Sequence, residues 1–291
     1  YYAPFEPNFK HRMYSVSKSF VSIAVGMAIE EGLISIDDKM IKYFPEYVTD
    51  ETDVLVKETT IHDMLTMSTA IRYQPLVNWF ASNTDDRTKE YFRFTGQKVP
   101  GSFYFYDSPA SYMLGVIVEK LTGKTFLDYI KDKALLDIGF SKESYCLKCP
   151  GGYAWGDSAV MCTSRDLLTF ARFVMNKGNV DGKQYMSREY LTEATKKQVE
   201  NDDMAVVNIH GIHGYGYQIW KTPNDGFAFI GMGDQIAICD PETDFIFIIT
   251  SDNQGSGATR AILYHELYKN IIGKLGEPLP EDEKAYNELK E

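Results

Sequence analysis

The stretch YSVSKSFVSIAVGMAIEEGLISIDDKMIKYFPEY, residues 14–47, contains the longest apolar stretch of the chain. Apolar residues fill nearly every position from Phe20 to Ile29, so the pattern predicts a helix over 16–31 that is buried on all sides. Gly32 follows, as expected of a residue that ends a helix in the left-handed conformation. Because a helix this apolar cannot lie on a surface, the rest of the fold is expected to surround it.

Two polar side chains lie at the start of this helix, Ser15 and Lys18. Their i, i+3 spacing places the hydroxyl and the amine on one helix face, one turn apart. A serine hydroxyl becomes a nucleophile when a base takes its proton, and a lysine serves as that base when its charged form is destabilised by burial. The helix N-terminus also favours a developing oxyanion. The alternative interpretation is an N-cap serine followed by a solvated lysine.

Composition restricts the class of protein. The 291 residues carry 30 Lys plus Arg and 41 Asp plus Glu, a formal net charge of −11, which argues against a nucleic acid or an anionic membrane as partner. The chain has no apolar run of eighteen residues and does not begin like a secretory signal, so we expect no membrane span and a cytoplasmic location. Cys146 and Cys149 form a single C-x-x-C pair, which favours buried or loop thiols over a metal or redox site.

The remaining pattern predicts an α+β protein of one domain, residues 1–291. We expect a mainly helical region over about 15–200, a sheet with a closing helix over about 205–273, and an acidic, solvated tail over 274–291. The expected helices lie at 60–67, 109–122, 125–136, 164–177, 187–198 and 258–272. The expected strands are short and antiparallel, at 214–221, 227–231, 235–240 and 245–250, with a hairpin turn at 240–244.

These motifs resemble the serine β-lactamase and penicillin-binding-protein superfamily, in particular its class C β-lactamase-like branch of esterases, D-aminopeptidases and 6-aminohexanoate-dimer hydrolases. As in that branch, the S-V-S-K helix is followed by E-G, D-D and Y-x-P-E, here at 31–32, 37–38 and 43–46. The resemblance covers about residues 12–272 and implies a β-lactamase/transpeptidase-like fold, with an antiparallel sheet flanked by helices. In the family an N-terminal helix and two strands precede the nucleophile, so these strands are expected to be missing here.

The family's second motif is Y-x-N, and the matching run is PGSFYFYDSPASYMLGVIVEKLTG, residues 100–123. Tyr106 takes the tyrosine position, and Ser108 replaces the asparagine that contacts substrate. The resemblance implies that Tyr106 relays protons between Ser15 and the leaving group. The alternative is that Tyr106 only packs. Helix propensity alone predicts that Ser108 is the N-cap of the helix at 109–122.

The third motif, K-T-G or H-x-G, corresponds to the run FAFIGMGDQIAICDPETDFIFIITSDN, residues 227–253. Gly231 matches the glycine, but Phe229 stands where a cation binds the carboxylate of penicillins and D-Ala-D-Ala peptides. This difference argues against a β-lactamase or a peptidase of that kind. Gly231 and Gly233 let substrate approach closely, and the N–H groups of Met232 and Ser15 are the candidate oxyanion donors.

The sequence thus predicts a serine hydrolase that cleaves an ester or amide of a small substrate through an acyl-enzyme. Ser15 is the expected nucleophile, with Lys18 and Tyr106 as the proton relay and no metal or organic cofactor. Two alternatives stay open: a β-lactamase or D-Ala-D-Ala carboxypeptidase, and a non-catalytic homologue that binds a peptide or small molecule. The substrate and the oligomeric state are not determined by the sequence.

Overall fold

The buried helix α1, Ser17–Glu30, lies where the apolar stretch predicts it. The structure is a computed structural model, and it describes residues 1–72, 86–201, 214–222, 225–253, 257–275 and 281–290. Every α1 residue from Ser17 to Ala28 is buried, and the helix ends before Gly32, whose φ is +72°. The prediction of a helix buried on all sides is confirmed.

Helices surround α1, and those that contact it include α5 (Ser108–Thr122), α6 (Phe126–Ile130), α7 (Ser164–Met175) and α8 (Arg188–Thr195). Helix α5 packs closely on α1, since a Cβ added to its Gly115 would already lie in van der Waals contact with Val21 Cγ2 of α1, at 3.6 Å. The helices that follow α1 are α2 Val54–Glu58, α3 Ile61–Leu65, α4 Arg87–Tyr91, α5 Ser108–Thr122, α6 Phe126–Ile130, α7 Ser164–Met175, α8 Arg188–Thr195, α9 Gly257–Asn270 and α10 Glu283–Lys290.

Helix α5 corrects one prediction, because its N-cap is Asp107 and not Ser108. The Asp107 carboxylate accepts a hydrogen bond from the backbone N–H of Ala110 at 3.3 Å, and Ser108 is already the first helical residue. Both residue types cap helices well, so propensity could not separate two neighbouring candidates, but a carboxylate also interacts favourably with the helix dipole. The helix ends before Gly123, whose φ of +70° fits the predicted stop.

The main sheet has four antiparallel strands in the order β6-β7-β8-β9: β6 Trp220–Lys221, β7 Phe227–Gly231, β8 Gln235–Asp240 and β9 Phe245–Ile249. The predicted hairpin joins β8 to β9 and is closed by the pairing of Asp240 with Phe245. Helix α7 packs against β8 and β9. The first strand is shorter than the predicted 214–221.

A second, three-stranded sheet was not predicted. It consists of β1 His11–Arg12, β2 Tyr145–Cys146 and β3 Val160–Cys162, in the order β1-β3-β2. Strands of two or three residues are too short to show an alternating pattern, so the sequence carries no signal for them. Their importance is positional, because Met13 N–H donates to Val160 O at 2.8 Å and fixes the chain just ahead of Ser15. A separate hairpin pairs β4 Asn179–Val180 with β5 Lys183–Gln184.

The C-terminal part of the described chain is solvated, as predicted, but it is partly helical. Residues 281–288 are exposed, and 283–290 form α10, a helix with polar residues on most sides. Helices rich in charged residues of this kind lack the apolar stripe from which a buried helix is recognised. Among the described residues, no helix combines the length and hydropathy that a membrane crossing requires.

An aromatic stack joins α1 to α7: the rings of Phe20 and Phe170 are stacked with centroids 3.7 Å apart, and both side chains are fully buried. We expect Phe170→Ala to lower the free energy of unfolding by about 3–5 kcal/mol, because it removes buried contacts and leaves a cavity. Urea denaturation measures this change. The matched control is Leu168→Ala on the same helix, where the side chain is 43% exposed. Equal losses for the two variants would contradict the assignment of this stack to the core.

Candidate active site

Ser15 lies in a single 3₁₀ turn, Tyr14–Val16, which leads directly into α1. The turn begins with a strained residue, since Tyr14 has φ +45°, in the left-handed region that side chains other than glycine rarely adopt. Val16, which follows Ser15, is fully buried, whereas Ser15 itself is only partly buried. The turn therefore holds the Ser15 hydroxyl at the mouth of the buried helix.

Lys18 follows one turn later with its side chain 98% buried, as its exposed fraction of 2% shows. Its amine donates hydrogen bonds to Ser15 Oγ at 3.0 Å and to the backbone oxygen of Asp157 at 2.6 Å. The distance to Ser15 lies within the range expected for a nucleophile and its base. The structure therefore places the hydroxyl and the amine in the arrangement that proton transfer requires.

The side chain of Tyr106 lies beside this pair although it is distant in sequence. Its ring centroid is 5.1 Å from Lys18 Nζ, and the ring stacks on Trp220 with centroids 5.7 Å apart and an interplanar angle of 19°. Trp220 belongs to β6, so the main sheet holds the Tyr106 ring against the lysine. The structure thus brings the Tyr106 ring to Lys18, while the approach of its hydroxyl to Ser15 stays a prediction.

The loop that carries Tyr106 is anchored by the next residue, Asp107, which is fully buried. Thr69 Oγ1 donates a hydrogen bond of 2.6 Å to Asp107 Oδ2. Burial raises the pKa of the Asp107 carboxyl to about 6, although the Thr69 and Ala110 hydrogen bonds and the charges of Lys98 and Lys18 favour its ionised form. Ser108 is 5% exposed and begins α5 immediately behind this carboxylate.

The end of β7 forms the other side of the turn that carries Ser15. A Cβ on Gly231 would lie 2.3 Å from the backbone oxygen of Met13, so only glycine permits this approach. Beyond it the chain turns back: Met232 is 53% exposed and Gly233 has φ +74°. The third motif is therefore in contact with the backbone just ahead of Ser15, while the roles of Met232 and Gly233 as oxyanion and substrate contacts stay predictions.

Two residues that contribute to this site were not identified from the sequence. Asp157 supplies the carbonyl oxygen that accepts from Lys18, and Asp107 anchors the Tyr106 loop. A backbone acceptor 139 positions from its donor leaves no signal in residue spacing. The thiols are different: burial raises the pKa of Cys149 to about 12 and that of Cys146 as well, which keeps both protonated, as expected for packed thiols.

Comparison with known proteins identifies the family to which the chain belongs. The family described as Beta-lactamase has a model that matches residues 1–268. The chain belongs to the beta-lactamase family. One similar protein is the 6-aminohexanoate-dimer hydrolase of Paenarthrobacter ureafaciens, which is 24% identical in an alignment of 271 positions that covers 85% of this chain and 67% of that protein.

Other members of the beta-lactamase family match more locally or by fold. The esterase/beta-lactamase LipL of Mycobacterium tuberculosis is 31% identical over 91 residues, 31% of this chain and 21% of that protein. A solved structure described as a 6-aminohexanoate-dimer hydrolase from Bacillus anthracis superposes with a TM-score of 0.77 at 20% identity, covering 95% of this chain and 76% of that one. This likeness confirms the predicted β-lactamase/transpeptidase-like fold.

The raised pKa of Asp107 predicts a dependence of stability on pH. The Asp107 carboxyl has a pKa of about 6 in the folded protein and an ordinary value of 3.8, so it binds its proton more tightly when the protein is folded. Its contribution to stability is therefore complete below about pH 4 and is lost as the pH rises through 6. Between these pH values the parent protein should lose free energy of unfolding on the order of 3 kcal/mol because of this group, and Asp107→Asn should not show this loss. Urea denaturation at pH 4 and pH 7 measures it, with the exposed Asp50→Asn as control. Parallel pH dependence of Asp107→Asn and the parent protein would contradict this prediction.

Proposed function

We propose that this protein is a serine hydrolase that cleaves an ester or amide bond of a small substrate, with Ser15 as the residue that carries the acyl group. The observation that supports this most is the hydrogen bond of 3.0 Å between Lys18 Nζ and Ser15 Oγ at a buried position. A solvated lysine beside an N-cap serine, the alternative interpretation of S-x-x-K, would be exposed. The Lys18 side chain is instead enclosed on α1.

In the proposed reaction, the neutral Lys18 amine accepts the proton of Ser15 while Oγ attacks the substrate carbonyl carbon. The backbone oxygen of Asp157 accepts one amine hydrogen and thereby directs the lone pair of Lys18 towards Ser15. The N–H groups of Ser15 and Met232 stabilise the negative oxygen that forms. Tyr106 passes the proton to the departing oxygen or nitrogen as its bond to carbon breaks, and water then releases the acyl group by the reverse route.

The substrate is a neutral ester or amide on this proposal. Phe229 occupies the position at which the family's K-T-G or H-x-G motif carries a cation, and its side chain is fully buried in β7. A carboxylate on the substrate therefore lacks the partner that penicillins and D-Ala-D-Ala peptides use. Two similar proteins, a 6-aminohexanoate-dimer hydrolase and an esterase/beta-lactamase, are compatible with this substrate class.

Ser15→Ala is expected to reduce kcat/KM for a p-nitrophenyl ester by at least about a thousandfold, because loss of the nucleophile in serine enzymes costs several powers of ten. The Ser15 side chain packs little, so the thermal midpoint should stay close to that of the parent. The control is Ser35→Ala, which removes an exposed serine hydroxyl elsewhere. Retention of a tenth or more of the activity by Ser15→Ala would exclude Ser15 as the nucleophile.

A fluorophosphonate probe separates the enzyme from a non-catalytic binding homologue. The probe reacts with an activated serine, so we expect covalent labelling of the parent protein at Ser15 and none of Ser15→Ala. Labelling of neither protein would favour the binding homologue.

Substrate preference follows from Phe229. We expect a higher kcat/KM for a short p-nitrophenyl ester than for a chromogenic cephalosporin, because no cation at that position binds the cephalosporin carboxylate. Phe229→Lys would not test this preference alone, because it would also place a charged side chain at a fully buried position. The two substrates are therefore compared on the parent protein, and a preference for the cephalosporin would reverse the proposed substrate class.

A further inference from the structure

The acidic side chain of Asp157 lies behind Lys18 without a role in the reaction described so far. It is fully buried, and within the described part of the chain neither of its carboxyl oxygens has a hydrogen-bond partner. Buried carboxyl groups normally make hydrogen bonds, because leaving one unpaired is costly. Burial raises the pKa of Asp157, as expected for such a site. A group this unfavourable for folding is a candidate for a functional one.

Three cations on three separate elements interact electrostatically with the Asp157 carboxyl. Lys18, Arg87 and Arg12 all favour its ionised form, in this order of strength, and they come from α1, α4 and β1. The two arginines are held by one ring, since each guanidinium carbon lies 4.6 Å from the ring centroid of Trp155. Arg87 is 6% exposed and therefore nearly as buried as Lys18.

The backbone around Asp157 is fixed relative to Lys18. Its carbonyl oxygen accepts from Lys18 Nζ at 2.6 Å, and three residues later Val160 N–H donates to Ser17 Oγ at 3.0 Å. On the other side, Gly156 lies so close to Val21 that no side chain fits there. Asp157 can neither move away from Lys18 nor turn to solvent without breaking these contacts.

We propose that Asp157 is a positioning residue whose carboxyl group, balanced by Arg87, sets how readily Lys18 accepts and releases the proton of Ser15. This inference rests on the proposed function. An ionised Asp157 stabilises the ammonium form of Lys18, and the positive charge of Arg87 weakens this effect. A neighbouring opposite charge shifts a titration by about one to three pH units, so a change in the charge of Asp157 should be visible in the pH dependence of the reaction.

Other ionisable groups also face this cluster. Asp107 interacts electrostatically with Lys18 from the start of α5, and Tyr106 lies against the same amine. Cys149 and Cys146 interact with Asp157, but burial keeps both thiols protonated. The variants that test the proposal therefore leave Asp107, Tyr106 and the cysteines unchanged.

The test is the dependence of kcat/KM on pH in two variants that change opposite charges. Asp157→Asn keeps the backbone carbonyl and the side-chain shape, and we expect its acid limb to move down by about one pH unit or more. Arg87→Gln should move the acid limb to higher pH, because the negative charge of Asp157 then acts on Lys18 without the opposing charge of Arg87. Arg87→Lys, which retains the charge, should restore the parent profile. The control is Asp132→Asn, at an exposed ion pair with Lys124.

A purely structural role would lower activity at every pH and leave the limb in place, so an unchanged limb in Asp157→Asn overturns the proposal even if Arg87→Gln does not fold. A readout without turnover keeps this result separate from failure of the proposed function. In protein labelled with ¹³C-lysine, the Lys18 Cε resonance, assigned by its loss in Lys18→Arg, should titrate at lower pH in Asp157→Asn than in the parent. If the protein hydrolyses nothing, the same shift still supports the role of Asp157, and its absence overturns it.

Discussion

The proposed chemistry depends on one hydrogen bond, that between Lys18 Nζ and Ser15 Oγ at the mouth of a helix buried on every side. A lysine is among the costliest side chains to bury, and it becomes useful as a base only when water is excluded from it. Both conditions follow from the apolar residues of α1, which require a complete layer of helices and sheet around them. The burial that stabilises the fold and the burial of Lys18 therefore arise from the same residues.

Several local features serve to hold this pair in place. Tyr14 adopts a strained left-handed conformation directly before Ser15, and Gly231 allows β7 to touch the backbone at Met13. Such strain persists only where the surrounding structure fixes it, here through the hydrogen bond from Met13 N–H to Val160 O. Ser15 is thus positioned from both sides by backbone contacts.

Much of this arrangement could be predicted from the sequence, and the remainder could not for identifiable reasons. The buried α1, the β8–β9 hairpin and the proximity of Ser15 to Lys18 follow from patterns that are local in sequence. The two-residue strand β1 has no periodicity to detect, and the N-cap of α5 lay one residue from the predicted one. The contact of Asp157 with Lys18 depends on a backbone atom brought in by folding, for which residue type gives no indication.

In the proposed reaction, Ser15 carries the acyl group during turnover. The most direct measurement is acid quenching of the parent protein during hydrolysis of a p-nitrophenyl ester, followed by mass spectrometry of its proteolytic peptides. The expected result is an added acyl mass on the peptide that contains Ser15, present during turnover and lost once the substrate is exhausted. An acyl group on another residue, or hydrolysis without any acylated peptide, would contradict it.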